Sequence, residues 1–442
     1  MVDPFAGTAG TLVHSQTRYG ARIRALSDRL VQAQRPIRIL DAVKWDDSIE
    51  RRFFARGCRE LPPVTVQYYG SRPLSFEPRK KQQELAALER DIARQLGKND
   101  APGQIMSRMC REYREVVDLL TRRGTPRFAE ISARLYGRTS DPVHAGPYSL
   151  AEWARLIESR LHDLCSETSQ DECDRTYDAQ QTVALLSARL RDYFKNEALV
   201  RVKLSDGIVA DAAAGGDYLK IRRAARFTAR DIRLLEVHEG WVHLATTLNG
   251  QRQSVCTFLS KGPPSSTITQ EGLAVLMEIM SSATYPGRIR RLAHRVEALA
   301  RVEAGANFLE TFRFFSEQGY APCESYQNSK RVFRGSLPDA GGPFTKDLSY
   351  IKGLVLVVNH LRLAVDRGQV HDLPVLFCGK TALSDFSVLA QLVQEGLVRP
   401  AHFLPPSFAD LLDCSGESRH ALLLNRLAPL DTALSKTPRK AG

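Results

Sequence analysis

The chain has 442 residues, of which 43% are hydrophobic and 25% charged, and its formal net charge is +12. These proportions are typical of a folded globular protein and exclude a wholly disordered or fibrous chain. The length exceeds what one hydrophobic core usually serves, which predicts two lobes or a core with a large accessory region. Because the basic residues lie in short pairs that suit solvated helix faces, the charge alone does not favour a nucleic-acid partner.

The cysteines and the apolar runs indicate the cellular compartment of the protein. Its 8 cysteines are scattered without a C-x-x-C pair, which predicts reduced thiols rather than a zinc ribbon or a disulfide framework. The N-terminus lacks a signal-peptide pattern, and the best apolar run, Leu354 to Val357, is too short to span a membrane. We therefore expect a cytoplasmic protein without a membrane span. The sequence does not indicate the oligomeric state.

Residues 1–196 are predicted to form a mainly helical N-terminal region. Amphipathic helices are expected at Gln82–Leu96, Gly103–Thr121, Ser149–Cys165 and Ala179–Phe194. Two polar stretches that contain proline, Gly70–Lys81 and Gly137–Pro147, are predicted loops, and Ser149 is a predicted helix cap.

Residues 197–430 are predicted to form a second region that begins with a small sheet. Its expected strands are Leu199–Leu204, Gly207–Ala210 and Tyr218–Ala224. The last of these could be an edge strand along which an extended peptide adds. The predicted fold class is α+β and predominantly helical, and the tail at residues 431–442 is predicted to be disordered.

Two helices after the sheet carry the sequence motifs that point to chemistry. Thr228 is predicted to cap the first, which runs from Ala229 to about Leu248, and Asp231 occupies the capping-box position. The second begins near Thr267 or Thr269 and runs to about Ala283. Further predicted elements are helices at Ile289–Ala304, Phe308–Glu317, Leu348–Asp366 and Ala382–Glu395 and a strand at Val375–Cys378.

The first motif, His238–His243, reads H-E-G-W-V-H and places two imidazoles around a carboxylate. It is similar to the H-E-x-x-H signature of zinc peptidases but has one more residue between the two histidines. On an ideal α-helix a spacing of five rotates the second side chain by about 140° from the first. A π-bulge absorbs one residue and returns both to one face. We therefore predict a bulge between the two histidines, eased by Gly240.

The second motif supplies a third candidate ligand. Glu271 follows His243 by 28 residues in the next helix, and two histidines with a glutamate form a catalytic zinc set that leaves a position for water. Zn²⁺ is therefore the predicted cofactor, and Glu239 is the predicted catalytic base. Glu278 either orients a ligand histidine or lies on the surface. The alternatives are a buried His–Glu hydrogen-bond network and a non-catalytic zinc site.

A further set of residues is suited to binding a peptide carboxylate. Arginine offers a planar fork and lysine a point charge, and the candidates are Arg331, Arg334 and Lys346. Tyr350 could donate a hydrogen bond to the developing oxyanion.

The two motifs, V-H-E-G-W-V-H and T-Q-E-G-L-A, resemble those of the QEGLA-motif family. Its bacterial members are labelled flavohemoglobin expression-modulating, and its animal members include the microtubule-associated tyrosine carboxypeptidases. The likeness extends from about Leu199 to the C-terminal region and includes Arg334-Gly335 and Gly341–Asp347.

The resemblance implies a zinc carboxypeptidase that releases a C-terminal aromatic residue, Tyr or Phe, from a peptide or protein. It also implies a zincin-like metallopeptidase core, with His238, His243 and Glu271 as ligands and Glu239 as base. The alternative function is a basic regulatory or nucleic-acid-binding protein with a non-catalytic metal site, which the regulatory family label and the net charge support.

Overall fold

A computed structural model describes residues 6–143, 148–165, 176–195, 200–206, 208, 210–339 and 341–413. In the N-terminal region the chain forms helices, as predicted. Their bounds are α1 Ala6–Gln34, α2 Ile39–Ala42, α3 Asp47–Ala55, α4 Val66–Gly70, α5 Pro78–Leu96, α6 Ala101–Thr121, α7 Pro126–Tyr136, α8 Leu150–Cys165 and α9 Ala179–Tyr193.

The second region begins with strands β1 Arg201–Ser205, β2 Ala212–Ala214 and β3 Tyr218–Arg222. The helices that follow are α10 Ala229–Leu235, a π-helix Glu236–Leu244, α11 Ala245–Gln251, α12 Pro264–Met280, α13 Pro286–Glu303, α14 Phe308–Glu317, α15 Pro322–Phe333, α16 Leu348–Asp366, α17 Phe386–Gln394 and α18 Pro406–Asp413. Short 3₁₀ turns lie at Thr257–Ser260, Thr345–Asp347, Val370–Phe377 and Leu383–Asp385. Within the described residues this confirms an α+β, predominantly helical fold.

Several predicted helix starts are wrong because the prolines near them begin a helix instead of ending a loop. α5 begins at Pro78 rather than Gln82, since proline suits the first helical position and the Glu77 side chain caps the next amides. α12 likewise begins at Pro264, before Thr267 and Thr269. α15, which also begins at a proline, was not predicted.

The predicted strand at Val375–Cys378 is wrong, because Val370–Phe377 forms a 3₁₀ helix that contains Pro374. A short apolar run fits a buried helical turn as well as a strand. The other described helices of the second region lie near their predicted positions, except α18, which was not predicted. The predicted tail at residues 431–442 lies outside the described residues.

The sheet has the order β1, β3, β2, with β1 parallel and β2 antiparallel to β3. The prediction that Tyr218–Ala224 is an edge strand is therefore wrong, because β3 pairs on both sides. The predicted strand Gly207–Ala210 is also wrong where it is described, since Ile208 and Ala210 are not in a strand. The two edge strands of this sheet are Arg201–Ser205 and Ala212–Ala214.

Two hydrophobic cores meet at the π-helix. The larger core joins N-terminal helices to α12–α17 and includes Val237 and Val242 of the π-helix. The smaller core joins α9, the sheet, α10 and α11, and takes Leu244 from the same π-helix. Because the π-helix packs on both cores, its polar residues are held in a fixed place between them. The larger core contains residues from both predicted regions, and the division at residue 196 stays a prediction.

Helices α12 and α16 approach each other backbone to backbone. A Cβ atom placed on Gly272 would lie 2.0 Å from the carbonyl carbon of Gly353, and one on Gly353 would lie 2.0 Å from the carbonyl oxygen of Ile268. Glycine is the residue that permits such contact, since it has no side chain to separate the helices. The 3₁₀ turn that precedes α16 carries Lys346, whose Nζ atom lies 3.1 Å from Oε1 of Glu271.

The segment Thr345–Asp366, which contains α16, is long and apolar enough to cross a membrane by length and composition alone. The expectation that no apolar segment reaches this length is therefore wrong, because it counted only an uninterrupted run. Of its apolar window, 61% is buried inside the protein, as in the core helix of a globular fold.

Candidate metal centre

The π-helix Glu236–Leu244 brings the two motif histidines to one face, which confirms the predicted distortion. It continues α10, whose cap by Thr228 with Asp231 is also as predicted. The rings of His238 and His243 lie with centroids 4.8 Å apart and planes at 86°. Widening to i→i+5 hydrogen bonds therefore turns a five-residue spacing into a shared face.

Glu271, in the third turn of α12, completes the group. Its Oε2 atom lies 3.4 Å from Nε2 of His238 and 3.4 Å from Nε2 of His243. One donor atom from each of the three residues lies within 4.8 Å of the other two. The structure therefore brings together all three residues that the sequence predicted as ligands.

The chemistry of these donors fits a zinc ion. Oε2 of Glu271 is buried and has no hydrogen-bond partner among the described residues. His238 Nδ1 lies 2.6 Å from Oε1 of Glu278, so a proton on Nδ1 donated to that carboxylate leaves Nε2 free to bind metal. Two imidazoles and a carboxylate are the protein ligands of one common type of catalytic zinc site.

Glu278 is fully buried and is the hydrogen-bond partner of His238, a candidate ligand, rather than a surface residue. Arg288 holds it with two hydrogen bonds, Nη2 to Oε1 at 3.0 Å and Nε to Oε2 at 3.2 Å. Such an outer partner fixes the tautomer and the ring orientation of a ligand histidine.

Electrostatics inside the group keep Glu271 charged. Burial opposes its ionised form, but Lys346 and the two histidines outweigh burial and hold the pKa of Glu271 well below its usual value. Burial also disfavours the cation of His238, but the adjacent carboxylates of Glu271 and Glu278 raise its pKa to about 10. Burial lowers the pKa of His243. Metal binding at Nε2 of His238 would release the proton on that atom and leave the proton on Nδ1 that faces Glu278.

Glu239 lies on the π-helix next to His238 and faces the sheet. Its Oε2 atom accepts a hydrogen bond of 3.0 Å from the backbone N–H of Ala214, on edge strand β2. It is partly exposed, unlike its buried neighbour Glu236, which pairs with Arg189 and Arg233 away from the histidines.

Gly240 is needed for packing. A Cβ atom on Gly240 would lie 2.3 Å from Cδ2 of Leu190, so its missing side chain makes room for α9 against the π-helix.

The predicted carboxylate-binding residues lie together but are not equally available. Arg331 is committed to Asp347 by two hydrogen bonds of 2.7 and 2.9 Å, and Lys346 is 3.1 Å from Oε1 of Glu271. Arg334 is buried, its Nη2 is 3.9 Å from Asp347, and its Nε has no hydrogen-bond partner in the described chain. Arg334 is therefore the candidate with free donor capacity.

The sequence-based prediction missed Arg295, whose Nε lies 4.0 Å from Asp347. With Arg331 and Arg334 it places three guanidinium groups around one carboxylate. Burial and the charge of Arg331 lower the pKa of Arg295 and of Arg334 to about 10 each. Arg295 could have been found from the sequence, because it follows Arg288 by seven residues and the two side chains share one face of α13.

Tyr350 connects this arginine cluster to the histidines. Its ring stacks on His238 with centroids 6.2 Å apart and planes at 28°. The guanidinium carbons of Arg288 and Arg295 lie 6.0 and 5.9 Å from its ring centroid. Its role as a donor to an oxyanion stays a prediction.

These features define a class: a mostly helical protein with a candidate metal site made of two histidines and one glutamate. A family model described as microtubule-associated tyrosine carboxypeptidase matches residues 51–425, and the chain belongs to that family. The match extends well into the N-terminal helices, which the likeness of the motifs did not include. No curated protein matches the chain.

Proposed function

We propose that the protein is a zinc-dependent carboxypeptidase with a zincin-like core that removes an aromatic residue from the C-terminus of a peptide or protein. The observation that carries the proposal is the convergence of His238, His243 and Glu271 beside Glu239. Membership of a family described as tyrosine carboxypeptidases supports the reaction and the aromatic specificity.

In this proposal His238, His243 and Glu271 hold the zinc ion, which supplies Lewis-acid activation of water and of the scissile carbonyl. Glu239 takes a proton from the attacking water and passes it to the leaving amine as the C–N bond breaks. The Ala214 N–H fixes the glutamate for this task through its 3.0 Å hydrogen bond.

We assign to strand β2 the role that the sequence analysis gave to Tyr218–Ala224, that of an edge strand along which an extended peptide adds. It pairs with β3 on one side, and the N–H of Ala214 points from its other side toward Glu239. An extended peptide lying along this edge would pass beside the proposed base. The strand has only alanine side chains, so it leaves room for a substrate of varied sequence.

The arginine cluster supports recognition of a terminal carboxylate. Three guanidinium groups and one carboxylate leave an excess of two positive charges in a buried place next to Tyr350 and Lys346. Buried charges need partners, and an incoming carboxylate would provide one. We assign this contact to Arg334, whose Nε is unpaired within the described residues, with Arg295 beside it.

The cellular location stays a proposal as well. The cysteines whose side chains are described, Cys58, Cys110, Cys256, Cys323 and Cys378, are free thiols. Free thiols are usual in a reducing compartment and support a cytoplasmic protein.

The first test measures metal content and amino-acid release together. We expect one zinc per chain and release of C-terminal Tyr or Phe from synthetic peptides, lost with a chelator and restored by zinc. The control peptide has the same sequence with a C-terminal amide and should release nothing. A chain without zinc that releases no amino acid would favour the alternative of a regulatory binding protein.

Arg334→Met is expected to lower kcat/KM for peptides with a free C-terminus by roughly 10- to 100-fold, since a hydrogen bond to a charged group contributes about 1.5–3 kcal/mol. Its melting temperature should stay the same or rise, because the substitution removes a buried charge repelled by Arg331. Steady-state kinetics and thermal unfolding check this.

Arg331→Met is the matched control, because Arg331 is fully paired with Asp347. It should lower the melting temperature, since it leaves the Asp347 carboxylate without its closest partner. The assignment of Arg334 is wrong if its loss leaves kcat/KM unchanged.

A further inference from the structure

Lys380 extends beneath the candidate metal centre from a loop outside both motifs. Its Nζ atom lies 2.8 Å from the backbone carbonyl oxygen of His243, 3.0 Å from Oγ1 of Thr246 and 3.3 Å from Oε1 of Gln270. An ammonium group has three donors, and here each has an acceptor. The group therefore links the end of the π-helix to the residue next to Glu271.

The loop that carries Lys380 is fixed by backbone contacts. The N–H of Lys380 donates to the carbonyl oxygen of Leu259 at 2.7 Å, and the N–H of Leu383 donates to Oγ1 of Thr269 at 2.9 Å. A Cβ atom on Gly379 would lie 2.6 Å from the Leu259 oxygen, so glycine permits this close approach. The ammonium group is thus held in place by its surroundings.

The charge of Lys380 also fits its position. Burial lowers its pKa to about 8, while the negative charges of Glu271 and Glu239 favour its ammonium form. The Thr246 hydroxyl, which contacts Lys380, also donates a hydrogen bond to Oε1 of Gln270 at 2.7 Å and lies 2.6 Å from the carbonyl oxygen of Val242. Thr246 and Lys380 together close a polar network between the two motif helices.

We infer that Lys380 is a positioning residue for the metal centre: it fixes the spacing between His243 and Glu271, which lie on different helices. The inference rests on the proposed metal site. Lys380 touches neither ligand side chain and acts through the His243 backbone and through Gln270. Outer partners of metal ligands commonly contribute 10- to 100-fold to metal affinity.

The test measures zinc affinity of the full chain by competition with a chromophoric chelator, without substrate. Lys380→Met should weaken zinc binding by roughly 10- to 100-fold and change the absorption spectrum of the cobalt-substituted protein. Lys352→Met is the matched control, because Lys352 is also partly buried but pairs with Asp141 away from the site. It should bind zinc like the unaltered protein.

A second variant shows whether the link to Gln270 carries the effect. Gln270→Leu removes one acceptor of Lys380 and should itself weaken zinc binding. The double variant should bind no more weakly than Lys380→Met, because contacts in one network are not additive. Gln270→Leu also carries the test if Lys380→Met does not fold.

The outcomes separate the two proposals. Failure of the unaltered protein to bind zinc would refute the metal site itself. If the unaltered protein binds zinc and both Lys380→Met and Gln270→Leu keep its affinity and cobalt spectrum, the positioning role of Lys380 is wrong while the proposed function stands.

Discussion

Glu239→Gln is expected to bind zinc with unchanged affinity and to lose peptidase activity by about 10²- to 10⁴-fold, the usual contribution of general acid–base catalysis. Glutamine keeps the size of the side chain and still accepts the hydrogen bond from Ala214 N–H. It has no basic oxygen to take a proton from water. The measurement is kcat for release of C-terminal Tyr, with zinc content determined on the same sample.

Glu236→Gln is the matched control for this substitution. Glu236 lies on the same π-helix, three residues before Glu239, but its carboxylate faces Arg189 and Arg233. It should keep most of the activity and lose some stability, because two arginines lose a charged partner. If Glu239→Gln turned over peptide at the rate of the unaltered protein, another group would have to be the base.

The centre of the site could be predicted from the sequence because its signals are local. His238 and His243 are five residues apart, so they share a face only if the helix widens to absorb one residue. The π-helix could therefore be predicted from the spacing. The Thr228 cap and the position of Glu271 on the next helix are also readable from neighbouring residues. The helix pair that carries the candidate ligands is therefore predictable from the sequence alone.

The surroundings of the site were harder to predict, because they depend on contacts between distant segments. Glu278 meets Arg288 through the turn between α12 and α13, and Lys380 arrives more than a hundred residues after His243. The prediction that Tyr218–Ala224 is an edge strand is wrong because β3 pairs with β1 on one side and with β2 on the other. Propensity and periodicity do not encode such pairings.

The glycine of the second motif also acquires its meaning from tertiary structure. In the sequence Gly272 is only the residue after a candidate ligand. In the fold its missing side chain lets α16 contact α12, and the 3₁₀ turn just before α16 carries Lys346, which lies 3.1 Å from Glu271. The motif thus places Glu271, a candidate ligand, next to Gly272, whose contact with α16 brings Lys346 close to Glu271.

Gly272→Ala is therefore expected to destabilise the protein even though alanine favours helix. The better helix propensity contributes about 1 kcal/mol. The added Cβ would lie 2.0 Å from the Gly353 carbonyl carbon, a backbone atom, so one helix must move. Overpacking that shifts a backbone typically costs about 1–3 kcal/mol, and from the upper end of that range we expect a net loss of about 2 kcal/mol. Chemical denaturation measures it.

Gly20→Ala provides the comparison, because Gly20 lies inside α1 and an added Cβ would have no neighbour nearer than 3.8 Å. That substitution should leave the free energy of unfolding unchanged or raise it by up to about 1 kcal/mol. Zinc affinity should fall only in Gly272→Ala, since the movement of α16 draws Lys346 away from Glu271. Equal stability of the two variants would show that α12 and α16 do not meet at Gly272, and the placement of Lys346 beside the metal centre would fail with it.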